Sequence, residues 1–516
     1  MLERIGNVLK RNIYLELVIS CSIAILLCMA SKKLGFASDE YYTYGLSNYE
    51  NGLVLAWNDG IKTEAEEVYR DYFTPKGLDL KLIWNNQKND VHPPLYYLLF
   101  QIFELITNNC WGLKTGILFN LIFHICNIIL LYKILRRVCN KEYSVGVGMI
   151  LYSLNPVVLD SVLFMRMYVL LTSFILLLTL HFVSGWNKSA GERKFYPYLG
   201  LISIGGVLTH YYFVVYLFFC CCVWGVKLIT EREWKELKKF LITMATAAGG
   251  SVAIFPYMIV HIFFGYRGTQ SFDKLLESDW GSSLIYYCKR IDKLFGEMLL
   301  GLLIVCVLIF VYRKVVWPEK EKKGSGVWKI IWIPCVLYFL TISKIVVMQT
   351  SRYMSPLYAI AIILLAGGIE AVTKLLKDEK VRCVAAICLV GFMVNNSWKA
   401  YNWTGLYEKM QGTLDIASEY GRNNECIYFY ETAWKGVSNY LDFSEYQKIS
   451  FISVDNLDIL LNQEYQEYEH VVLYFESQLD ESKFEEIMQK FLDVNPSLNN
   501  YEKIYKQEYL TAYYLE

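Results

Sequence analysis

The apolar residues of this chain gather in blocks of roughly 17–25, long enough to cross a bilayer as helices. Apolar blocks at 13–30, 115–135, 144–162, 167–184, 196–209, 212–229, 240–263, 294–313, 328–346, 353–373 and 382–396, all but the fifth and the last of that length, predict about eleven spans. Between the first two lies a long loop, residues 31–114. Within it, Asp59–Tyr72 reads as a solvated helix with its charges toward water, and a shorter apolar run covers Leu95–Ile106. A second loop, Phe264–Leu294, is amphipathic and carries Arg267, Asp273, Lys274 and Arg290. After Asn396 the pattern changes to short strand-like runs and helices. Strands are expected at Cys426–Tyr430, Ile449–Val454, Val471–Phe475 and within Tyr501–Tyr514, with an amphipathic helix at Glu481–Val494. Alternating strands and helices predict a small α/β domain. The expected fold class is a polytopic α-helical membrane domain, residues 1–396, followed by an α/β domain, 397–516.

Composition agrees. The 516 residues are 55% hydrophobic and only 19% charged, below the roughly 25% of soluble chains. The formal net charge is zero, which gives no footing for a nucleic-acid partner. Fourteen cysteines lie mostly inside apolar blocks and form no paired spacing in the loops, so neither a zinc site nor a disulfide framework is indicated. The first span has no Ala-x-Ala-like cleavage site and reads as a retained anchor.

Charge sets the expected orientation. Arg4, Lys10 and Arg11 precede the first span, which places the N-terminus in the cytoplasm and the 31–114 loop outside. If Leu95–Ile106 lies in the interface instead of crossing, then Lys133, Arg136, Arg137, Lys141 and every later basic cluster fall on the cytoplasmic side. The α/β tail is then outside, on a plasma-membrane protein.

With that topology the unusual polar residues collect at the outer ends of spans. Asp39 and Glu40 follow the first span, and His92 starts the interfacial helix. Arg166 and Tyr168 open another span, Thr209, His210 and Tyr211 end one, and Lys344, Arg352 and Tyr353 bracket a short loop. Ionisable groups beside a bilayer are costly unless they face water, a partner or a substrate. A carboxylate can serve as general base toward a hydroxyl, while arginine and histidine can neutralise a departing phosphate. Together they point to sugar transfer from a lipid phosphate to a hydroxyl. Plainer roles compete: Asp39 and Glu40 as helix caps, His92 as a turn residue, Arg166 as a headgroup anchor, and Tyr168, Tyr211 and Tyr353 as interface-belt tyrosines. Asp39, Glu40 and His92 could hold a divalent metal, but three unlinked candidates are not a coordination sphere.

These residues also carry a resemblance. Asp39-Glu40 after the first span resembles the acidic pair of the GT-C glycosyltransferases. His92-Pro93-Pro94-Leu95-Tyr96-Tyr97 is similar to the motif that follows it in the protein O-mannosyltransferase and lipid A aminoarabinose transferase group. Arg166-Met167-Tyr168, Thr209-His210-Tyr211 and Ser351-Arg352-Tyr353 with Pro356 resemble that group's later landmarks. The resemblance spans about residues 10–375. It implies a polyprenyl- or dolichyl-phosphate sugar donor and an inverting transfer with Asp39 as base. It also implies that the helix after His92 shapes the carrier-phosphate pocket. His92, Arg166, Tyr168, His210, Tyr211, Arg352 and Tyr353 are the substrate-binding candidates; the acceptor is a hydroxyl on a cell-envelope glycan, lipid or protein. A transporter of lipid-linked glycans is the alternative, though it would place its ionisable groups nearer the bilayer midplane.

Overall fold

The computed structural model describes residues 2–52, 60–186, 194–277, 279–299, 325–403, 406, 411–432, 434–507 and 509–516. Among them, eight helices are long and apolar enough to cross a membrane, or nine if one bent pair counts as a single span. The protein is a multi-pass membrane protein. Seven expected spans coincide with one long helix each: Leu2–Ser31, Thr115–Val138, Tyr168–Gly185, Tyr212–Thr230, Lys329–Ile345, Ser355–Thr373 and Glu379–Ala400.

The remaining expected spans differ in instructive ways. The block at 144–162 is two helices, Glu142–Ser153 and Pro156–Leu163, bent by 45°. Asn155 makes the break, because its side chain accepts from the N–H groups of Val157 and Val158 while Pro156 takes the first helical position. The block at 240–263 ends as a helix at Ile254 and resumes as Tyr257–Phe263, interrupted at Pro256. Phe195–Val207 has only 13 residues. Most of the 294–313 block lies outside the described residues. The run after Pro94 forms the helix Leu95–Thr107, also 13 residues and short for a span.

Contacts divide the chain into two compact units. The first is Met1–Ser31, Asp90–Tyr96 and Gly116–Thr404; the second is Lys32–Asn89, Tyr97–Thr115 and Gly405–Glu516. Most of the long loop therefore forms one body with the tail.

The second unit is built on a mixed sheet of β1 (Thr63–Glu64), β2 (Cys426–Tyr430), β3 (Lys448–Ser453), β4 (Val471–Glu476), β5 (Tyr501–Lys506) and β6 (Leu510–Leu515), in the order β1-β3-β2-β4-β6-β5. The centre, β3-β2-β4, is parallel and the flanks are antiparallel. Side chains alternate between two buried faces. Ile427, Phe429, Leu473 and Phe475 pack against Ile487, Met488 and Phe491 of the helix Glu481–Val494. Tyr428, Phe451, Val472 and Tyr474 pack on the other side with Ala65, Ala417 and Phe443. Burial on both faces is what a parallel centre requires.

The three internal strand expectations hold, and the run expected within Tyr501–Tyr514 is a hairpin. Sequence gave no sign of β1, which comes from the long loop and pairs antiparallel with β3 through Thr63↔Ile449. The expected solvated helix there is Ala65–Phe73; Glu66 and Glu67 are exposed, but Ala65, Tyr72 and Phe73 are buried.

Candidate functional site

Three sequence-distant turns of the first unit come together. The first is Asp90-Val91-His92, just before the helix that Pro93 and Pro94 introduce. The second is the Phe164–Met167 break between the helices Pro156–Leu163 and Tyr168–Gly185. The third is Leu208–Tyr211, between Val207 and Tyr212. Backbone bonds stitch them. The Leu95 N–H donates to Leu208 O at 3.0 Å, joining the first turn to the third. The Asn120 side-chain amide donates to Phe164 O at 3.0 Å and to Val162 O at 3.3 Å, holding the second break open. Asn120 also accepts from the Tyr96 hydroxyl at 3.1 Å, so the helix after His92 shares that anchor.

These anchors place His92, Arg166 and His210 around one centre. Arg166 is 4% exposed and His210 6%, so neither is a surface charge. His92 Nδ1 lies 2.8 Å from Asp90 Oδ2 and 3.5 Å from Arg166 Nη2. The short contact decides the proton: a carboxylate only accepts, so Nδ1 carries hydrogen toward Asp90. The longer approach of Arg166 is then electrostatic rather than a hydrogen bond. The His92 and His210 rings are 5.8 Å apart, edge to face. Tyr168 lies 5.6 Å from the His210 ring and 6.1 Å from Tyr353, and Tyr212 lies 5.4 Å from Tyr353. Arg352 stands over the Phe164 ring at 5.4 Å and the Tyr353 ring at 5.7 Å.

Electrostatics separate the groups further. Burial pushes the Asp90 carboxyl up, but the charge and hydrogen bond of His92, Arg166 and the Val91 N–H together outweigh it and hold it below the ordinary range. His210 moves the other way. Burial first, then the nearby His92 and Arg166, press it well below the usual histidine value. Its Nδ1 accepts the Tyr212 N–H at 3.1 Å, so the neutral ring keeps its hydrogen on Nε2.

Thus His92, Arg166, Tyr168, His210 and Tyr353 are assembled in one group, with Arg352 at Tyr353. Tyr211 borders the group: its hydroxyl is 2.8 Å from His261 Nδ1 and near enough to Asp90 to feel its charge. Asp90 and Tyr212 were not among the sequence candidates. The signal for Asp90 was present as an acid two residues before a histidine; Tyr212 sits in an unbroken apolar run that gives none.

Asp39 and Glu40 belong to the second unit, in the first turn of the helix Ser38–Asn48. Glu40 is fully buried and engaged: Lys33 Nζ reaches its two oxygens at 2.8 and 3.1 Å, and the Ala37 N–H donates to Oε2 at 2.8 Å. Lys33 also stands over the Phe36 ring at 4.9 Å. Asp39 is half-buried at the positive end of the helix. That helix is locked from below. Tyr41 packs on Phe73 and Tyr440 at 5.9 and 6.2 Å, and at Gly45 an added Cβ would come 2.2 Å from the Tyr72 hydroxyl. Only glycine permits that approach. Among the described residues, no group of three or more His, Cys, Asp or Glu side chains is placed to hold a metal ion.

Comparison with known proteins gives the architecture a context. Residues 91–260, which contain His92, Arg166 and His210, match the family described as dolichyl-phosphate-mannose-protein mannosyltransferase. No curated protein matches the chain. Among solved structures, it is similar to ArnT from Cupriavidus metallidurans bound to undecaprenyl phosphate, with a TM-score of 0.57 at 9% identity over 96% of this chain and 97% of that one. The apo state of the same protein gives 0.56 at 10% identity, over 98% of each chain. The archaeal oligosaccharyltransferase AglB from Archaeoglobus fulgidus gives 0.48 at 11% identity, over 92% of this chain and 71% of that one. The chain has the GT-C membrane fold, extended along nearly its whole length.

Proposed function

We propose that this chain is a membrane glycosyltransferase that moves a sugar from a polyprenyl-phosphate carrier to a hydroxyl acceptor on the outer face of the membrane. The observation that carries the reading is the buried grouping of Arg166, His92 and His210 with Tyr168 and Tyr353 beside it. Two cation-forming groups and a neutral donor suit a phosphate, whose negative charge grows as the sugar leaves. The tyrosine rings offer faces for a sugar. ArnT, similar in fold, has been seen with undecaprenyl phosphate bound.

In this mechanism Arg166 and His210 hold the carrier phosphate, with Arg352 beside them. The acceptor hydroxyl gives its proton to Asp39 and attacks the anomeric carbon on the face opposite the phosphate. One carboxylate suffices for such an inversion, whereas retention asks for a second one as nucleophile. Glu40 is spent on Lys33 and acts by fixing the turn that presents Asp39. The N-terminus is then cytoplasmic and the α/β tail outside, with the acceptor a cell-envelope glycan, lipid or protein.

The test is Asp39→Asn in membranes supplied with labelled polyprenyl-phosphate sugars. Transfer is expected to fall about 10²–10⁴-fold, the range for a general base, with the melting temperature unchanged. Unimpaired transfer would remove Asp39 from the mechanism.

A further inference from the structure

The helix Tyr266–Leu276 of the first unit leaves its apolar side chains uncovered, and its surroundings show what they face. At about 100° per residue, Phe272, Leu275 and Leu276 fall on one side, while Arg267, Gln270 and Lys274 fall on the other. None of its residues is buried, and Leu276 is 85% exposed. With 11 residues it is too short to cross a bilayer.

Both ends are fixed to membrane spans. The span Trp234–Ile254 resumes past Pro256 as Tyr257–Phe263, and there the chain turns sharply. The Phe264 and Gly265 N–H groups both donate to Val260 O, at 2.8 and 2.6 Å. At Gly268 an added Cβ would run into the carbonyl oxygens of His261 and Ile262, so only glycine lets the new helix start against the end of the old one. At the far end Lys344, in the last turn of Lys329–Ile345, donates to Glu277 O. The helix therefore runs from the end of one span to the end of another.

Its apolar side joins the surface of the first of these. The Phe263 and Phe272 rings stack at 6.1 Å with 23° between their planes. Ile259 and Val260 lie one turn before Phe263 and are exposed like it, as is Phe264 after it.

We infer that Tyr266–Leu276 is an in-plane membrane helix, with Phe272, Leu275 and Leu276 among the acyl chains of one leaflet and the opposite side among the headgroups. Exposed apolar side chains on a membrane-crossing segment face lipid, and the stacked rings make one surface of segment and helix, so a protein cover would have to lie within the bilayer. Charge points the same way. Arg267 and Lys274 are balanced by Asp273 and Glu277. Lys274 pairs with Glu277 at 2.7 Å, and Arg267 reaches Gln270 Oε1 at 3.3 Å while standing over the Tyr266 ring at 5.0 Å. The helix carries no net charge to draw an anionic partner. Its affinity is for the apolar layer, with the long cationic side chains reaching up to the headgroups.

Photocrosslinking of the full-length chain in phosphatidylcholine nanodiscs tests this, with p-benzoylphenylalanine in place of Leu276 or, separately, of Gln270. On irradiation, position 276 should give phospholipid adducts in the mass spectrum and position 270 none. A cross-link from 276 to a second copy of the chain, or no lipid adduct there, overturns the inference, and so does equal labelling at both positions. Adding phosphatidylglycerol should leave the yield at 276 unchanged; an adduct that needs the anionic lipid overturns it too. Phe272→Asp sets a charge in the apolar side at an exposed residue, so the bundle keeps its fold and the lipid adduct at 276 should be lost. An undiminished yield would show that lipid does not hold this side. None of these readouts needs sugar transfer, so a failed transferase reading would leave the adducts in place.

Discussion

Asp90 and Asp442 are buried carboxylates, one in each unit, displaced to opposite sides of the ordinary range. Both lose hydration, which raises an acid's pKa. Asp90 meets an imidazole at 2.8 Å and a nearby guanidinium, and it falls below the usual value. Asp442 meets only neutral donors, the Asn439 amide at 2.6 Å and the Tyr505 hydroxyl at 3.1 Å. Those bonds do not offset burial, and its carboxyl is pushed up to about 6. Glu40 is a third case, sealed with Lys33 at 0% exposure for both side chains. Burial alone does not mark a reactive acid; its partner does. Lysine makes a staple, amide and phenol make a reluctant acid, and imidazole with guanidinium keeps an acid ionised.

That contrast can be broken at each point. The largest effect is expected at the staple. Glu40→Gln leaves Lys33 charged and buried without its counterion, which costs about 3–5 kcal/mol. The purified chain should melt far lower, while Lys33→Met with Glu40→Leu should recover most of the loss. A Glu40→Gln protein with wild-type stability would show that the pair is not sealed.

Next is Asp442. Its folded pKa is raised, so the folded state holds a proton that the unfolded chain has released. Stability is then present below the unfolded value near 3.8 and declines as pH rises toward about 6. The two-unit shift sets about 3 kcal/mol as the upper size of the decline. Melting of the second unit followed from pH 4 to pH 7 should show it, and Asp442→Asn should flatten it. A curve of the same slope in the variant would assign the dependence elsewhere.

The smallest of the three is Arg166→Lys. It keeps the charge and removes the planar fork, and a charged hydrogen bond is worth about 1.5–3 kcal/mol. Transfer should drop about tenfold to hundredfold in kcat/KM with stability kept. An equal rate would mean that Arg166 supplies charge alone.

Much of this was legible in the chain. Apolar blocks gave seven spans directly, because a helix that must satisfy its own backbone in lipid needs an uninterrupted apolar run. The break at Asn155-Pro156 was written in plain cap chemistry but hidden inside a block whose average stayed apolar. Short apolar, aromatic-rich runs found β2, β3 and β4, whose two faces are both buried. They could not find Thr63–Glu64, which are two polar residues whose strand character comes only from the neighbour they pair with. At the site, His92, Arg166, His210 and Tyr353 were recognisable because charge or polarity beside a span is conspicuous. Asp90 was not, since its role depends on a 2.8 Å contact that spacing only permits. Glu40 was readable as an acid but not as half of an ion pair, because Lys33 lies before the turn that brings it back.

The small strand β1 has a consequence in time. Thr63 pairs with Ile449, the Gly60 N–H donates to Phe451 O at 2.8 Å, and the Tyr465 hydroxyl donates to Gly60 O at 2.6 Å. During synthesis the early loop is made hundreds of residues before these partners exist. Contacts of such separation form slowly and leave an unpaired edge waiting. The helix that presents Asp39 belongs to the same unit, so its final setting awaits synthesis of the tail strands. A ribosome-bound chain lacking the tail should therefore carry its membrane helices and still leave this loop open to protease.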